Sequence, residues 1–202
     1  MALEQTLAPT TALEAINDML SSIGQGAVNN VEENESVDAT SALAILVNTS
    51  REIQERGWFF NTDYNYSFYP DQNGEIVLPP TALQFEPDDT WRGQVVERGR
   101  KLYDRENHTT EFAAGTVITG RVVWLLAFED LPQAARTYIH RLAGRVFQEN
   151  QVGADLAYRF TKEREEEARA ALDRAQLRAD RPNALLDNAH TYWTAAGYRR
   201  RS

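Results

Sequence analysis

Leu13, Ile16, Leu20 and Ile23 recur at steps of three and four, which places them on one face of an α-helix. Thr11 and Glu14 have the spacing of a capping box, in which each side chain satisfies a backbone N–H at the helix start. Gly24 is suited to end that helix in a left-handed turn. A second stripe, Leu43, Leu46, Ser50 and Ile53 with Val47 beside it, predicts a helix over about residues 36–56. It stops at Gly57, and Trp58, Phe59 and Phe60 follow at once. Three aromatics in a row carry a large apolar surface. The junction is therefore expected to hand a helix over to a different kind of structure, with Trp58 packed where the two parts meet.

Beyond Phe60 the period changes to two. Tyr64, Tyr66 and Phe68 alternate with Asn65 and Ser67, as in a half-buried strand. Pro70 and Asn73–Gly74 turn the chain, and Ile76 and Leu78 run up to Pro79–Pro80, which ends any strand. Leu83 and Phe85 predict a short strand before Pro87, and Val95–Val96 and Leu102–Tyr103 flank a hairpin turn at Arg98–Gly99. The apolar run 122–128 predicts a buried strand. Pro132 suits a first helical position, and Ala135, Ile139, Leu142 and Val146 then make one face of a helix ending near Gly153. A last helix over about 154–180 has a stripe of mostly small residues (Leu156, Phe160, Ala168, Ala171, Leu172, Ala175), with Glu165–Arg169 and Arg159–Glu163 as surface pairs. The layout predicts an α+β fold that is mainly α. It consists of an antiparallel helix bundle of two N-terminal and two C-terminal helices (1–59 and 132–180), a β-rich insertion (60–131) and an extended C-terminal tail (181–202).

Composition adds exclusions. With 202 residues the chain can bury a real core, and with no cysteine it has neither disulfides nor thiolate chemistry. No apolar run approaches the roughly 18 residues of a membrane helix, so no membrane association is expected. Residues 1–10 lack the basic start and apolar run of a secretion signal. The net charge of -9 is unevenly spread. Residues 1–50 contain seven acids and no Lys or Arg, whereas residues 181–202 contain four Arg against Asp187 alone. Such asymmetry suggests different neighbours for the two ends.

Catalytic and cofactor motifs do not emerge. The Gly-rich phosphate loops and the Gly-x-Ser-x-Gly elbow are missing. His108, His140 and His190 lack the spacing of metal-ligand pairs. The segment Asp71-Gln-Asn-Gly-Glu75 lacks the length and distal Glu of a calcium loop and reads as a turn. Glu163, Glu165, Glu166 and Glu167 read as a solvated helix face. Trp91, Trp124, Tyr64, Tyr66 and Tyr69 could line a sugar groove, but aromatics at strand spacing are more often core. No cofactor or metal is expected. A duplex-binding protein needs a basic stripe, and this acidic chain offers only Arg199, Arg200 and Arg201 in a run.

The C-terminal segment is unusual. Leu185, Leu186, Tyr192, Trp193 and Tyr198 precede Arg199, Arg200 and Arg201, a composition typical of interface hot spots. The competing reading is a final helix folded back on its own bundle.

Five passages, in order, carry a resemblance to one family. They are Ala15-Ile-Asn-Asp-Met-Leu-Ser-Ser-Ile-Gly24, Ile53-Gln-Glu-Arg-Gly-Trp-Phe-Phe-Asn61, Leu102-Tyr-Asp-Arg105, Phe128-Glu-Asp-Leu-Pro132 with Tyr138-Ile139, and Gly153-Ala154. Together they resemble the head-to-tail adaptor of short-tailed phages, also called tail tubular protein A. The resemblance implies a virion structural protein without enzymatic activity. It further implies a helical bundle with a β-rich part, assembled as a dodecameric ring under the portal protein. That ring receives the tail nozzle protein (tail tubular protein B) below and forms part of the channel for DNA ejection. The protein would wait in the host cytoplasm before assembly and then reside at the head–tail junction. In related adaptors the C-terminal segment reaches onto the portal, which fits the hot-spot composition of residues 185–201. Two rivals remain: a tail-associated polysaccharide-degrading enzyme using acids such as Glu86, Asp88 and Glu111, and a generic helical protein-interaction module.

Overall fold

The computed structural model describes residues 9–30, 36–152 and 157–180. Among them the chain forms helices α1 (Ala12–Ser22) and α2 (Val37–Gln54), and then strands β1 (Thr62–Phe68), β2 (Ala82–Pro87), β3 (Val95–Arg98), β4 (Lys101–Asp104) and β5 (Ile118–Trp124). A 3-10 turn (Phe128–Asp130) leads into α3 (Gln133–Val152) and α4 (Ala157–Ala179). Helix α1 starts on its capping box: Thr11 Oγ1 accepts the Glu14 N–H at 3.2 Å, and Glu14 Oε2 accepts the Thr11 N–H at 2.9 Å. Gly24 and Gly57 both take left-handed φ angles, +78° and +72°, after the two N-terminal helices, as their lack of a Cβ allows.

Two side-chain amides hold the junction behind Gly57. Gln54 is fully buried; its Nε2 donates to Ser50 Oγ and to the Leu126 carbonyl, both at 3.0 Å, and its Oε1 accepts the Leu126 N–H at 2.8 Å. Asn61 Nδ2 donates to the Gln54 and Trp124 carbonyls at 3.0 and 2.7 Å, and its Oδ1 accepts the Trp58 N–H at 2.8 Å. Trp58 is buried in the helical core, and its indole N–H donates to the Ile53 carbonyl at 2.7 Å. The end of α2 and the exit of β5 are thus joined through groups that would be costly to bury unpaired.

The sheet order is β1-β5-β2, antiparallel, with β5 in the middle. Strands β3 and β4 form a separate hairpin, turned by Gly99 and Arg100. Both turn residues have positive φ, 57° and 66°, the requirement of a tight I′-type turn whose twist matches the strands. Two hydrophobic clusters result. One gathers α1, α2, α3 and part of α4 around Ile16, Leu46, Ile53, Trp58, Ile139 and Phe147. The other fills the space between sheet and hairpin with Phe68, Ile76, Leu78, Leu102, Ile118 and Val122. Gly120 on β5 lies directly under the Phe85 ring; an added Cβ would stand 2.6 Å from that ring and 2.3 Å from the Glu86 carbonyl oxygen.

Several expectations are corrected. The antiparallel bundle of two N-terminal and two C-terminal helices does not form: the described helices share the molecule with two antiparallel sheets in an α+β arrangement. Helices α1 and α2 pack on α3 and on each other, while α4 packs chiefly along α3. Of the α4 side chains described, Ala168 and Leu172 are buried and Ala171 and Ala175 half-buried, while Leu156 and Phe160 of the expected stripe and Arg159 of the expected surface pair lie outside the described side chains. The run 122–128 is not one strand. Strand β5 begins at Ile118 and ends at Trp124, where the Asn61 and Gln54 amides draw the backbone out of the sheet. The fully buried apolar side of α3 is Ala135, Tyr138, Ile139, Ala143 and Phe147; of the expected face, Ala135 and Ile139 belong to it, Leu142 packs against the same core half-buried, and Val146 is half-buried. The period-two pattern of β1 breaks at a register shift between Asp63 and Tyr66, where Asn65 has φ 57°. Tyr64 is left 72% exposed on an edge strand. Glu165 pairs across helices with Arg145, Oε2 to Nε 2.5 Å, and Arg169 instead approaches Asp173.

Gly120→Ala is expected to lower the unfolding free energy by about 2 kcal/mol through overpacking. Gly24→Ala meets nothing within 4 Å and should lose only about 1 kcal/mol from its left-handed backbone. Urea denaturation of both variants measures the gap. Gln54→Ala, which strips three hydrogen bonds from the junction, should cost about 2–3 kcal/mol by the same assay.

Candidate interaction surfaces

The sequence-predicted binding residues Leu185, Leu186, Tyr192, Trp193, Tyr198, Arg199, Arg200 and Arg201 lie outside the described residues, as does His190. The acids considered for glycan cleavage are engaged locally. Glu86 faces Arg92 and Arg121 at 3.9 and 3.5 Å, Asp88 Oδ1 accepts the Thr90 N–H at 3.1 Å, and Glu111 is exposed. Tyr66 and Trp124 pack edge to face at 5.2 Å, and Phe68 stands edge-on to Phe85 at 5.2 Å, so these rings form part of the sheet's packing. Tyr64 and Tyr69 point outward. Asp71 closes its turn by accepting the Asn73 and Glu75 N–H groups at 2.8 and 2.9 Å. Among the described residues no group of three or more His, Asp or Glu is placed to hold a metal. Among them also no helix is long and apolar enough to cross a membrane.

Two concave surfaces stand out. The first is an apolar groove of about 450 Å³ between α2 and the segment linking β5 to α3. Leu43, Leu46, Val47 and Ser50 form one wall and Leu125, Leu126, Ala127 and Phe128 another, closed by Ala12, Thr81 and Glu129. The groove lies where the apolar segment after Trp124, bonded at Leu126 to the amide of Gln54, has left the sheet and runs toward the 3-10 turn at Phe128. Val47, which the sequence places beside the buried stripe, remains 45% exposed at its rim. The continuous apolar run 122–128 was its one signal in the sequence, and that run reads equally well as a buried strand.

The second surface is polar, about 290 Å³, lined by Asp18, Met19, Ser22, His140, Arg141, Gly144, Gln148 and Arg164. His140 is buried, with Nε2 3.5 Å from Asp18 Oδ2. Burial pushes the His140 pKa below its ordinary value; the Asp18 carboxylate acts in the opposite sense, and Arg141 adds to the lowering. At neutral pH the ring is therefore neutral. Nearby, the Arg145 guanidinium donates to Glu165 foremost and to Glu149, which holds it above its ordinary pKa, and its ion pair with Glu165 joins α3 to α4.

A histidine whose folded pKa is depressed contributes its full share above the unfolded value of about 6.5, and that share falls as the pH drops through it, because the unfolded chain takes up the proton first. His140→Gln removes this linkage. The stability difference between parent and variant is expected to narrow from pH 7.5 to pH 5, followed by thermal unfolding at each pH; a constant difference contradicts the assignment.

Comparison with known proteins identifies the chain by family. No curated protein matches it. Residues 13–182 match the family model described as tail tubular protein, so the chain belongs to the tail tubular protein family and is a structural protein of the bacteriophage tail.

Proposed function

We propose that the protein is the adaptor of the head–tail junction. Twelve copies form a ring that docks under the portal protein, receives the nozzle protein (tail tubular protein B) below, and encloses part of the DNA channel. The observation that carries this reading is the family match over residues 13–182; the resemblance of the five passages to the adaptor type supports the finer assignment. Charge supports the conduit role. A subunit with net charge -9 holds phosphate weakly, and strong counterion-release binding would stall passing DNA. Uneven charge along the subunit suits head-to-tail contacts, the kind that close into rings. Leu185, Leu186, Tyr192, Trp193, Tyr198, Arg199, Arg200 and Arg201 are the portal-binding group, with aromatic and arginine anchors of the type that dominates interfaces. Before assembly the subunit resides in the host cytoplasm.

Purified subunit mixed with its portal is expected to form twelve-membered rings, counted by native mass spectrometry. A mixture with no ring-shaped assembly removes the adaptor reading. A chain ending at Asp180 should keep its circular dichroism spectrum and lose portal docking; normal docking of that chain removes the role of the tail.

A further inference from the structure

The polar surface between α1, α3 and α4 gathers charged groups that the fold does not use. We propose that it is a binding site for a single carboxylate group, held by Arg141 and Arg164 with the buried His140 beside them. Both guanidiniums line the cavity, and among the described residues neither makes an ion pair or a side-chain hydrogen bond. Arg145, one turn along the same helix from Arg141, is by contrast bound by both Glu149 and Glu165. The helix pair supplies acids where a cation holds the structure together and withholds them at this surface. His140 is 7% exposed, and its Nε2 lies 3.5 Å from Asp18 Oδ2, beyond the roughly 2.7–3.2 Å of a well-formed hydrogen bond. The ring has no closer partner among the described residues. Buried polar groups are seldom left so loosely held, and such a group marks room for a further partner.

Gly144 points the same way. Glycine weakens a helix interior relative to alanine, yet the nearest atom that a Cβ would meet here is Met19 Cγ, at an ordinary 3.8 Å. Packing therefore does not demand glycine, and its missing side chain leaves the middle of the lining open. The charge of the lining selects the ligand. Its charged residues are Asp18, Arg141 and Arg164, and His140 is neutral, so two positive charges against one negative leave a single positive charge. At about 290 Å³ the cavity is at the small end of ligand sites, which run from about 300 to 1,000 Å³. A carboxylate on a short stem balances that charge and fits that space. It also accepts the paired N–H bonds for which a guanidinium is shaped. A phosphate dianion would overshoot the charge with Asp18 alongside. The carboxylate comes either from a free small acid or from an Asp or Glu side chain of a second copy, a chain whose 30 acids outnumber its 21 Lys and Arg. The inference does not rest on ring formation or portal binding.

The test titrates the isotope-labelled full chain with N-acetyl-glutamate amide, which carries one side-chain carboxylate, and with N-acetyl-glutamine amide as its neutral match. The glutamate compound is expected to shift the Nε–H signals of Arg141 and Arg164 saturably, together with backbone amides of residues 18–22 and 140–148, and the glutamine compound is expected to shift none. Arg164→Gln, at an exposed position that spares the fold, should weaken binding about five-fold, and Arg141→Gln by a similar factor. Arg178→Gln, exposed further along α4 and outside the lining, should leave it unchanged. Absence of a saturable shift, equal shifts from the glutamine compound, unaltered affinity in both lining variants, or tighter binding of inorganic phosphate each overturn the proposal. Sedimentation velocity of the chain carrying both lining substitutions identifies the source. Self-association weaker than the parent's assigns the carboxylate to a second copy, and unchanged self-association assigns it to a free acid.

Discussion

The pair of amides at Gln54 and Asn61 is the constraint on which the molecule depends. Each uses both ends of its side chain, and between them they satisfy backbone groups of Gln54, Trp58, Trp124 and Leu126. Those groups lie where a helix stops, a sheet begins and the central strand leaves that sheet. The Gln54 and Asn61 side chains are buried, so an unmade bond there carries a desolvation cost. An apolar pair of the same shape could fill the space, yet it would not fix where β5 ends or how the helices stand on the sheet. Satisfied buried polar networks specify one arrangement among many that would bury similar area.

Three of the passages that carry the family resemblance contain such fixings. Residues 53–61 contain the junction. In Leu102-Tyr-Asp-Arg105, Asp104 is buried and gathers the Glu106 and Asn107 N–H groups together with the Asn107 and Gln94 amides; the Asn107 amide foremost holds its carboxyl below the ordinary carboxylate range. In Phe128-Glu-Asp-Leu-Pro132, Glu129 Oε1 accepts the Ala12 N–H at 3.1 Å, and the buried Arg136 donates to the carbonyls of Leu131, Thr10 and Glu129. These residues hold the first helix to the third. A sequence signature that looked like a label for function is, in physical terms, a set of backbone clamps.

Local signals were legible because local physics sets them. The capping box at Thr11 and the stops at Gly24 and Gly57 stand where the sequence puts them, and the β3–β4 hairpin forms with its turn one residue later, at Gly99–Arg100. What failed required knowledge of neighbours. An apolar run says that residues 122–128 are buried, not that an amide 72 positions earlier in the chain redirects Leu126. A stripe of alanines on α4 says that something approaches closely, not that it is one helix rather than two. The groove was not legible for the same reason, since its walls come from segments distant in the sequence. The tail's composition was readable, but composition names a kind of contact and not its address.

The shift in β1 bears on life at high concentration. An edge strand offers unpaired N–H and C=O groups to any second strand, including that of another copy. Here the ladder slips between Asp63 and Tyr66, and Asn65 turns the backbone into the left-handed region on that open side. A second strand laid along β1 would lose register after a few residues. Subunits can accumulate side by side and still keep their sheets to themselves, so that association is left to surfaces with chosen partners.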